Sequence, residues 1–446
     1  MRARLLAATA TAVLLPGALV PATPAGASAN PARTHRSTSP KAPAAPGAPD
    51  VADQAGDPAA RTPVGSGAAD MPCPRVPAPR VSRPPRPAPP PAVPAERAVG
   101  GPALATAGLV IPAGVTRPPG VTATSWLVAD LDTGQVLGGC GPHEYGTPAS
   151  VQKLLLAATM LPRLDPNQVV TVTDEDMDIE PGSSAVGLVA GGRYRVETVW
   201  LGLLLQSGNE AANVLARLGG GSDGAAGGVR AMNEYAHRLG ARQTHAVTPS
   251  GLDGRGQFTS AYDLALIARA CFADPTFRRY ALTETHLIPA QRVHRTKGFE
   301  IQNENQLIYR YPGALGGKTG FTDLARHTYV GAAERNGRRL VVTLLGAEPQ
   351  PARGWEQGAA LLDWGFSLPR TATVGRLVDP GELDASPSAP PPPVATGDAR
   401  QAAASGPLGG GPSVPWPALG AVAGGAVLVA LLLRRRVVRQ RYDRRP

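Results

Sequence analysis

The chain of 446 residues is long enough for two or three domains, but its composition limits how much of it can bury a core. It contains 48 prolines and 53 glycines, many of them in stretches that lack apolar periodicity. The net charge of +10 belongs to the chain ends, because residues 1–116 and 434–446 each carry +6 and the remainder carries about −2. The middle of the chain is therefore not basic, and no nucleic-acid partner is expected.

The first 29 residues have the three-part layout of a secretory signal peptide. Met1-Arg-Ala-Arg4 precedes an apolar run over residues 5–20, and the small residues Ala27-Ser-Ala29 follow. Residues 30–118 are dominated by Pro, Ala, Gly and Ser, which favour extended, solvated backbone. We therefore predict a signal peptide over residues 1–29 and a disordered linker over residues 30–118.

A second linker and a membrane anchor are predicted near the other end of the chain. Residues 371–413 are rich in Pro, Ser and Gly, whereas residues 414–433 carry no charge over about the length of a bilayer-spanning helix. The arginine-rich tail at 434–446 is a positive flank of the kind that stays cytoplasmic. Pro415 and Pro417 weaken the start of the span, and a glycine-rich continuation of the linker is the alternative. The predicted location is the cell membrane, with a single span and an extracellular domain.

The domain between the linkers, residues 119–370, is predicted to be α+β. A strand at 125–131, a tight turn and a returning strand form a first hairpin, and a second hairpin turns at Asn336-Gly337. Apolar residues three or four apart predict helices between and after the hairpins: 151–161, 199–218, 229–239, 261–272 and 355–366. An antiparallel sheet built from both ends of the domain, with an inserted all-helical subdomain, would leave a cleft at their junction.

Ser150-Val-Gln-Lys153 follows Thr147-Pro-Ala149 and opens an apolar run, which places Ser150 at a helix N-terminus and Lys153 one turn later. A serine hydroxyl becomes a good nucleophile when a base takes its proton, and a desolvated amine one turn away is such a base. The helix dipole also favours negative charge at that oxygen. Taken alone, the pattern is equally typical of an N-capping serine in an ordinary helix.

Two further short motifs follow at larger distances. Ser207-Gly-Asn209 is predicted at a corner between two helices, and Lys318-Thr-Gly320 is predicted on a short strand. Each is common by itself. Together and in this order, the three form the Ser-x-x-Lys, Ser-x-Asn and Lys-Thr-Gly set of penicillin-recognising serine enzymes.

The chain resembles the low-molecular-mass penicillin-binding proteins, and specifically the serine D-alanyl-D-alanine carboxypeptidases, over about residues 119–366. Besides the three motifs, the stretches at 182–187, 203–213, 249–254 and 261–268 carry the resemblance. It implies the penicillin-binding-protein fold and removal of the terminal D-alanine from peptidoglycan stem pentapeptides. It also implies acylation by β-lactams, which mimic the substrate.

The resemblance assigns the covalent chemistry to the first motif. Ser150 is expected to attack the carbonyl of the penultimate D-alanine and to form an acyl-enzyme, with Lys153 as its general base. The backbone amides of Ser150 and Phe321 are expected to form the oxyanion hole. Water then hydrolyses the acyl-enzyme, so no cofactor or metal is expected.

The other two motifs are expected to bind the substrate and to serve the leaving group. By resemblance, Ser207 relays a proton to the departing D-alanine and Asn209 holds the peptide amide. Lys318 and Thr319, followed by Gly320, are expected to grip the terminal carboxylate and so to select a free C-terminus.

Two departures from the family pattern are visible. Ala325-Arg326 stands where relatives often carry Ala-Gly after the Lys-Thr-Gly strand, which is expected to affect strand packing more than chemistry. A C-terminal β-domain, common in related carboxypeptidases, is not expected because the proline-rich stretch begins soon after Phe366. The membrane helix is expected to anchor the protein instead.

The three cysteines lack the paired spacing of a zinc site. Cys73 and Cys140 could form a disulfide in an exported chain, and Cys271 lies in a helical pattern that predicts burial. Three free thiols are the alternative.

Three rival functions were compared with the carboxypeptidase. A class A β-lactamase needs a deacylating glutamate in a Glu-x-x-x-Asn context between the second and third motifs, and the interval contains none. A D,D-endopeptidase uses the same machinery on crosslinks and stays open. A catalytically silent wall-binding scaffold would be expected to lose Ser150 or Lys153, and both are present.

Overall fold

The computed structural model describes residues 70–85 and 87–385. The predicted signal peptide, the predicted membrane span at 414–433 and the basic tail lie outside these residues. Within the two described ranges, no helix is both long enough and apolar enough to cross a membrane.

An antiparallel sheet of seven strands organises the domain. Its strands are β1 Leu109–Val110, β2 Ser125–Asp130, β3 Gln135–Cys140, β8 Ala314–Thr322, β9 Arg326–Arg335, β10 Arg338–Ala347 and β11 Gly375–Arg376. They lie in the order β1-β3-β2-β10-β9-β8, with β11 also paired to β3. Two small two-stranded antiparallel sheets pair β4 Val169–Thr171 with β5 Arg193–Arg195, and β6 Thr285–Ile288 with β7 Phe299–Gln302. Strand β2 pairs with β10 from Ser125 opposite Leu345 to Asp130 opposite Leu340. Early and late strands therefore meet in the middle of one sheet, which confirms the predicted α+β layout.

The predicted helices are present, with one divided in two. The α-helices of the described residues are α1 Pro94–Arg97, α2 Lys153–Met160, α3 Val196–Gln206, α4 Asn209–Gly219, α5 Gly224–Arg238, α6 Ala261–Ala273, α7 Pro275–Ala281, α8 Leu307–Arg310 and α9 Gly354–Ser367, of which α1, α7 and α8 were not predicted. The helical pattern over 199–218 breaks between α3 and α4, at the corner that the Ser-Gly-Asn motif predicted. Ser260 precedes α6 and caps it, because its side chain accepts a hydrogen bond from the Asp263 amide.

The sheet is covered on both faces. One core cluster joins the sheet to α2–α6, and it includes Leu154, Trp200 and Ile267. A second cluster lies under α9, where the ring centroids of Trp126 and Trp364 are 6.1 Å apart in an edge-to-face arrangement. Fully burying one such large apolar side chain contributes about 1.5–3 kcal/mol. The helices and strands that carry the three motifs are therefore packed into buried cores.

The N-terminal boundary of the folded region differs from the prediction of a linker up to residue 118. Cys73 and Cys140 form a disulfide, β1 pairs with β3, and Trp364 Nε1 donates to Thr116 O at 2.8 Å. Residues 70–85 and 87–118 are proline-rich, yet these contacts hold the segment against the domain. Their composition predicted extended backbone, which is also the conformation that packs along a sheet edge.

The C-terminal boundary also lies later than residue 370. Strand β11 pairs with β3, and Leu377 and Val378 are buried. Tyr262 Oη donates a hydrogen bond to Arg376 O at 2.9 Å. The described residues 371–385 thus belong to the domain and not to the predicted linker.

Candidate active site

Ser150 lies in a 3-10 turn, Ala149–Gln152, that leads directly into α2. Ala149 has a φ of 49°, in the left-handed region that non-glycine residues rarely adopt. Thr328 on β9 fixes the preceding residue, because its Oγ1 donates to Pro148 O at 2.8 Å. Such strain persists where the surroundings over-determine the backbone, and here it presents the Ser150 hydroxyl to the cleft.

Lys153 is completely buried beneath Ser150. Its Nζ lies 2.9 Å from Ser150 Oγ, 2.7 Å from Asn209 Oδ1 and 2.9 Å from Ser250 O. The first two motifs therefore meet at one amine. The contact with Ser250 brings the 249–254 stretch to the same point.

The pKa of Lys153 lies well below its ordinary value of 10.5. Burial is the main cause, because removal from water disfavours the ammonium form, and the nearby charge of Lys318 adds to the effect. Glu210 opposes it. The result is an amine biased towards the neutral form beside a serine hydroxyl.

Ser207 and Asn209 flank the corner between α3 and α4. Ser207 ends α3 with a φ of 62°, and its Oγ is buried with no hydrogen-bond partner among the residues that the structure describes. Asn209 accepts from Lys153 through Oδ1 and donates through Nδ2 to Ser183 Oγ at 2.9 Å. Burying a hydroxyl without a hydrogen-bond partner costs free energy unless a bound ligand supplies that partner.

The next residue, Glu210, fixes the 182–188 loop that forms one wall of the cleft. Its Oε1 accepts hydrogen bonds from the amides of Val186 and Gly187 at 2.7 and 2.9 Å. The backbone amide of Asn209 also donates to Ser184 O at 2.9 Å. This loop is one of the stretches that carried the family resemblance, and its contacts explain why it accompanies the Ser-Gly-Asn corner.

Strand β8 supplies the opposite wall and carries the third motif. Lys318 is buried, its Nζ donates to Thr319 O at 2.8 Å, and burial lowers its pKa to about 8 against the opposing charge of Glu304. Gly320 lies so close to the nucleophile that a Cβ there would be 2.8 Å from Ser150 N. Only a residue without a side chain allows β8 to approach the Ser150 turn in this way.

The three motifs surround a cleft of about 390 Å³. Of the eight predicted site residues, six line it directly: Ser150, Ser207, Asn209, Thr319, Gly320 and Phe321. Lys153 lies beneath Ser150, and Lys318 lies buried behind Thr319. The fold therefore gathers all eight in one place.

Other residues of the cleft were not predicted from sequence. Ser183, Glu304 and His327 line it. Burial raises the pKa of Glu304, opposed by Lys318, and burial also lowers the pKa of His327 below its usual 6.5. Glu304 and His327 lack a motif signal, because only the fold brings them to the site.

A larger cavity of about 670 Å³ adjoins the cleft through Leu252, which lines both. Its walls include Asp178, Glu180 and Arg230. The motif side chains converge on the smaller cleft, so we place the chemistry there.

Comparisons with known proteins agree with this geometry. Residues 113–349 match the family described as D-alanyl-D-alanine carboxypeptidase. The chain is 44% identical over 273 residues to D-alanyl-D-alanine carboxypeptidase DacB2 of Mycobacterium tuberculosis, covering 60% of this chain and 90% of that protein. It is 34% identical over 264 residues to DacD of Escherichia coli, covering 56% of this chain and 64% of the relative.

Solved structures give the same result. A crystal structure of D-alanyl-D-alanine carboxypeptidase from Mycobacterium tuberculosis aligns with a TM-score of 0.56 at 43% identity, over 60% of this chain and all of that one. The Streptomyces K15 DD-transpeptidase aligns with a TM-score of 0.54 at 26% identity, over 57% of this chain and all of that one. The chain therefore belongs to the D-alanyl-D-alanine carboxypeptidase family of low-molecular-mass penicillin-binding proteins.

Proposed function

We propose that the protein removes the terminal D-alanine of peptidoglycan stem pentapeptides through an acyl-enzyme on Ser150. The observation that carries this proposal is the buried amine of Lys153, 2.9 Å from Ser150 Oγ and with a depressed pKa. Asn209 Oδ1 and Ser250 O accept the two N–H groups of a neutral amine. Its lone pair is then free to take the proton of Ser150.

The remaining motif residues have positions that suit binding and departure of the leaving group. Within the part of the chain that the structure describes, the Oγ of Ser207 has no hydrogen-bond partner, which leaves it available to pass a proton to the departing D-alanine. Lys318 and Thr319 would hold the terminal carboxylate, and Asn209 the peptide amide. The amides of Ser150 and Phe321 would stabilise the oxyanion, a type of interaction that is worth about 10²–10³-fold in rate.

The test is D-alanine release from a pentapeptide that ends in D-Ala-D-Ala, comparing the full chain with Ser150→Ala. We expect release by the unmutated chain only, together with covalent labelling by a fluorescent penicillin. Labelling without release would favour an endopeptidase that cleaves crosslinks. Transfer of the acyl group to an added amine would favour a reaction like that named for the Streptomyces relative. Neither labelling nor release would favour a silent wall-binding scaffold.

We also propose that the enzyme is exported and held at the cytoplasmic membrane by residues 414–433, with its domain outside the cell. The uncharged run followed by an arginine-rich tail supports this arrangement. The full chain should sediment with membranes and resist extraction at high pH, whereas a chain that ends at residue 385 should be released. Equal release of both would rule out the anchor.

A further inference from the structure

Glu348 is a buried carboxylate that contacts two arginines from distant parts of the chain. Arg326 donates through Nε to Oε1 and through Nη2 to Oε2, both at 3.1 Å. Arg83 donates through Nη2 to Oε1 at 2.6 Å. The side chain of Glu348 is 2% exposed and that of Arg83 is 32% exposed. Hydrogen bonds between charged groups are the strong ones, and losing a partner of a buried charge is costly.

Arg326 occupies the position where relatives often carry glycine, and its backbone adopts a conformation that favours glycine. Its φ is 58°, in the left-handed region, which is unfavourable for an L-residue other than glycine. The two hydrogen bonds to Glu348 oppose that cost. Arg326 also pairs with Thr322 across the end of β8, and its guanidinium lies 5.2 Å from the centroid of the Phe321 ring. The ion pair thus holds the turn that follows Phe321.

Arg83 comes from the proline-rich segment that precedes the predicted domain. The Cys73–Cys140 disulfide fixes this segment ten residues earlier. Arg75 fixes it again, because Nη1 donates to Ala123 O at 3.2 Å and Nη2 to Thr124 O at 3.1 Å. The segment is therefore tied to the domain shortly before Arg83 reaches Glu348.

We propose that Arg83 is a positioning residue for the Lys318–Phe321 strand, acting through Glu348 and Arg326. The proposal rests on the proposed role of the Phe321 amide as an oxyanion donor. Without Arg83, Glu348 loses one of its two cations, and the turn that follows Phe321 loses part of its support. A misplaced oxyanion donor reduces the stabilisation of the transition state more than the binding of the substrate. We therefore expect kcat to fall while KM changes little.

The test compares Arg83→Ala, Arg83→Lys and Arg80→Ala in the full chain. Arg80 is an exposed arginine of the same segment and serves as the matched control. We expect Arg83→Ala to lower kcat and the rate of acylation by a fluorescent penicillin about threefold to tenfold, with KM within about twofold. Because Arg83 uses one N–H group only, Arg83→Lys should restore most of the rate. Arg80→Ala should leave it unchanged.

Rates are normalised to the folded fraction, measured by circular dichroism. An unchanged rate in Arg83→Ala, an equal loss in Arg80→Ala, or no recovery in Arg83→Lys would overturn the proposal while leaving the proposed function intact. Failure of the unmutated chain to react with penicillin would overturn the proposed function and this inference together.

Discussion

At the scale of single residues, the buried amine of Lys153 lies 2.9 Å from Ser150 Oγ and is the proposed general base. Replacement of Lys153 by Met keeps the approximate volume but removes the base. We expect acylation by a fluorescent penicillin to slow about 10²- to 10⁴-fold, which is the usual contribution of a general base. The measurement is the rate of labelling at saturating penicillin.

The matched control for that experiment is Lys297→Met, which changes an exposed lysine. It should label at the rate of the unmutated chain. Labelling of Lys153→Met at more than about a tenth of the unmutated rate would show that another group takes the proton of Ser150.

The proposed role of Lys318 in binding the substrate carboxylate predicts an alkaline limit for the reaction. Its pKa in the free enzyme is about 8, so the charge that would hold the substrate carboxylate is present below pH 8 and is lost above it. We expect kcat/KM to fall as the pH rises through about 8, since this ratio reports the free enzyme. Bound carboxylate favours the ammonium form, so the fall in kcat should occur at higher pH.

The control for the pH profile is Lys318→Arg. A guanidinium stays charged throughout this range, so the alkaline fall near pH 8 should disappear even if the absolute rate is lower. His327 does not interfere, because burial holds its pKa below 6.5. An alkaline fall near pH 8 that persists in Lys318→Arg would assign it to a different group.

The sequence predicted the residues of the site that belong to short motifs, because three or four positions of spacing place them on one turn or one strand end. It did not predict Glu304, which reaches Lys318 only through the fold. The sequence also did not predict that Arg326 and Arg83 both form hydrogen bonds with Glu348. No local pattern connects residues that far apart in the chain.

At the scale of elements, the close approach of β8 to the Ser150 turn depends on Gly320. A Cβ at this position would lie 2.4 Å from Thr328 Oγ1 and 2.8 Å from Ser150 N, so Gly320→Ala must move the strand or the turn. We expect at least a tenfold loss of acylation rate, since a shift of about 1 Å in a catalytic group can cost 10²-fold. Labelling kinetics at equal folded fraction measure the effect.

Gly354→Ala is the matched control, because its Cβ would meet Tyr329 Cβ at an ordinary 3.5 Å and the residue lies at the start of α9. It should retain the full rate. If Gly320→Ala also retains it, the approach of β8 to Ser150 does not limit the reaction.

Hairpins and amphipathic helices were predictable because their periods, two and 3.6 residues, are visible in the sequence. The corner at Ser207 was predictable from the Ser-Gly-Asn motif and not from periodicity, because the apolar pattern runs through it from 199 to 218. Strand β1 was not, because two residues within a proline-rich stretch have no period. Its pairing with β3 is a tertiary contact, and the disulfide from Cys73 supports it.

At the scale of the whole molecule, the folded unit extends beyond the region that the sequence predicted. Leu104 and Leu109 are buried in the two core clusters, although both precede the predicted start at residue 119. Burial of each leucine contributes about 1.5–3 kcal/mol, and the disulfide adds to this by restricting the unfolded chain. The free energy of unfolding of a chain that starts at residue 119 should therefore be lower than that of the full chain by at least about 3 kcal/mol.

Thermal unfolding followed by circular dichroism measures this difference, with a chain that starts at residue 70 as the matched control. The longer chain keeps Leu104, Leu109 and Cys73, so its unfolding temperature should equal that of the full chain. The shorter chain should unfold several degrees lower, because a loss of 1 kcal/mol shifts the midpoint of a domain of this size by about 2–4 °C. Equal midpoints for the two shortened chains would mean that residues 70–118 add nothing to the stability of the domain, and that the composition-based boundary was adequate.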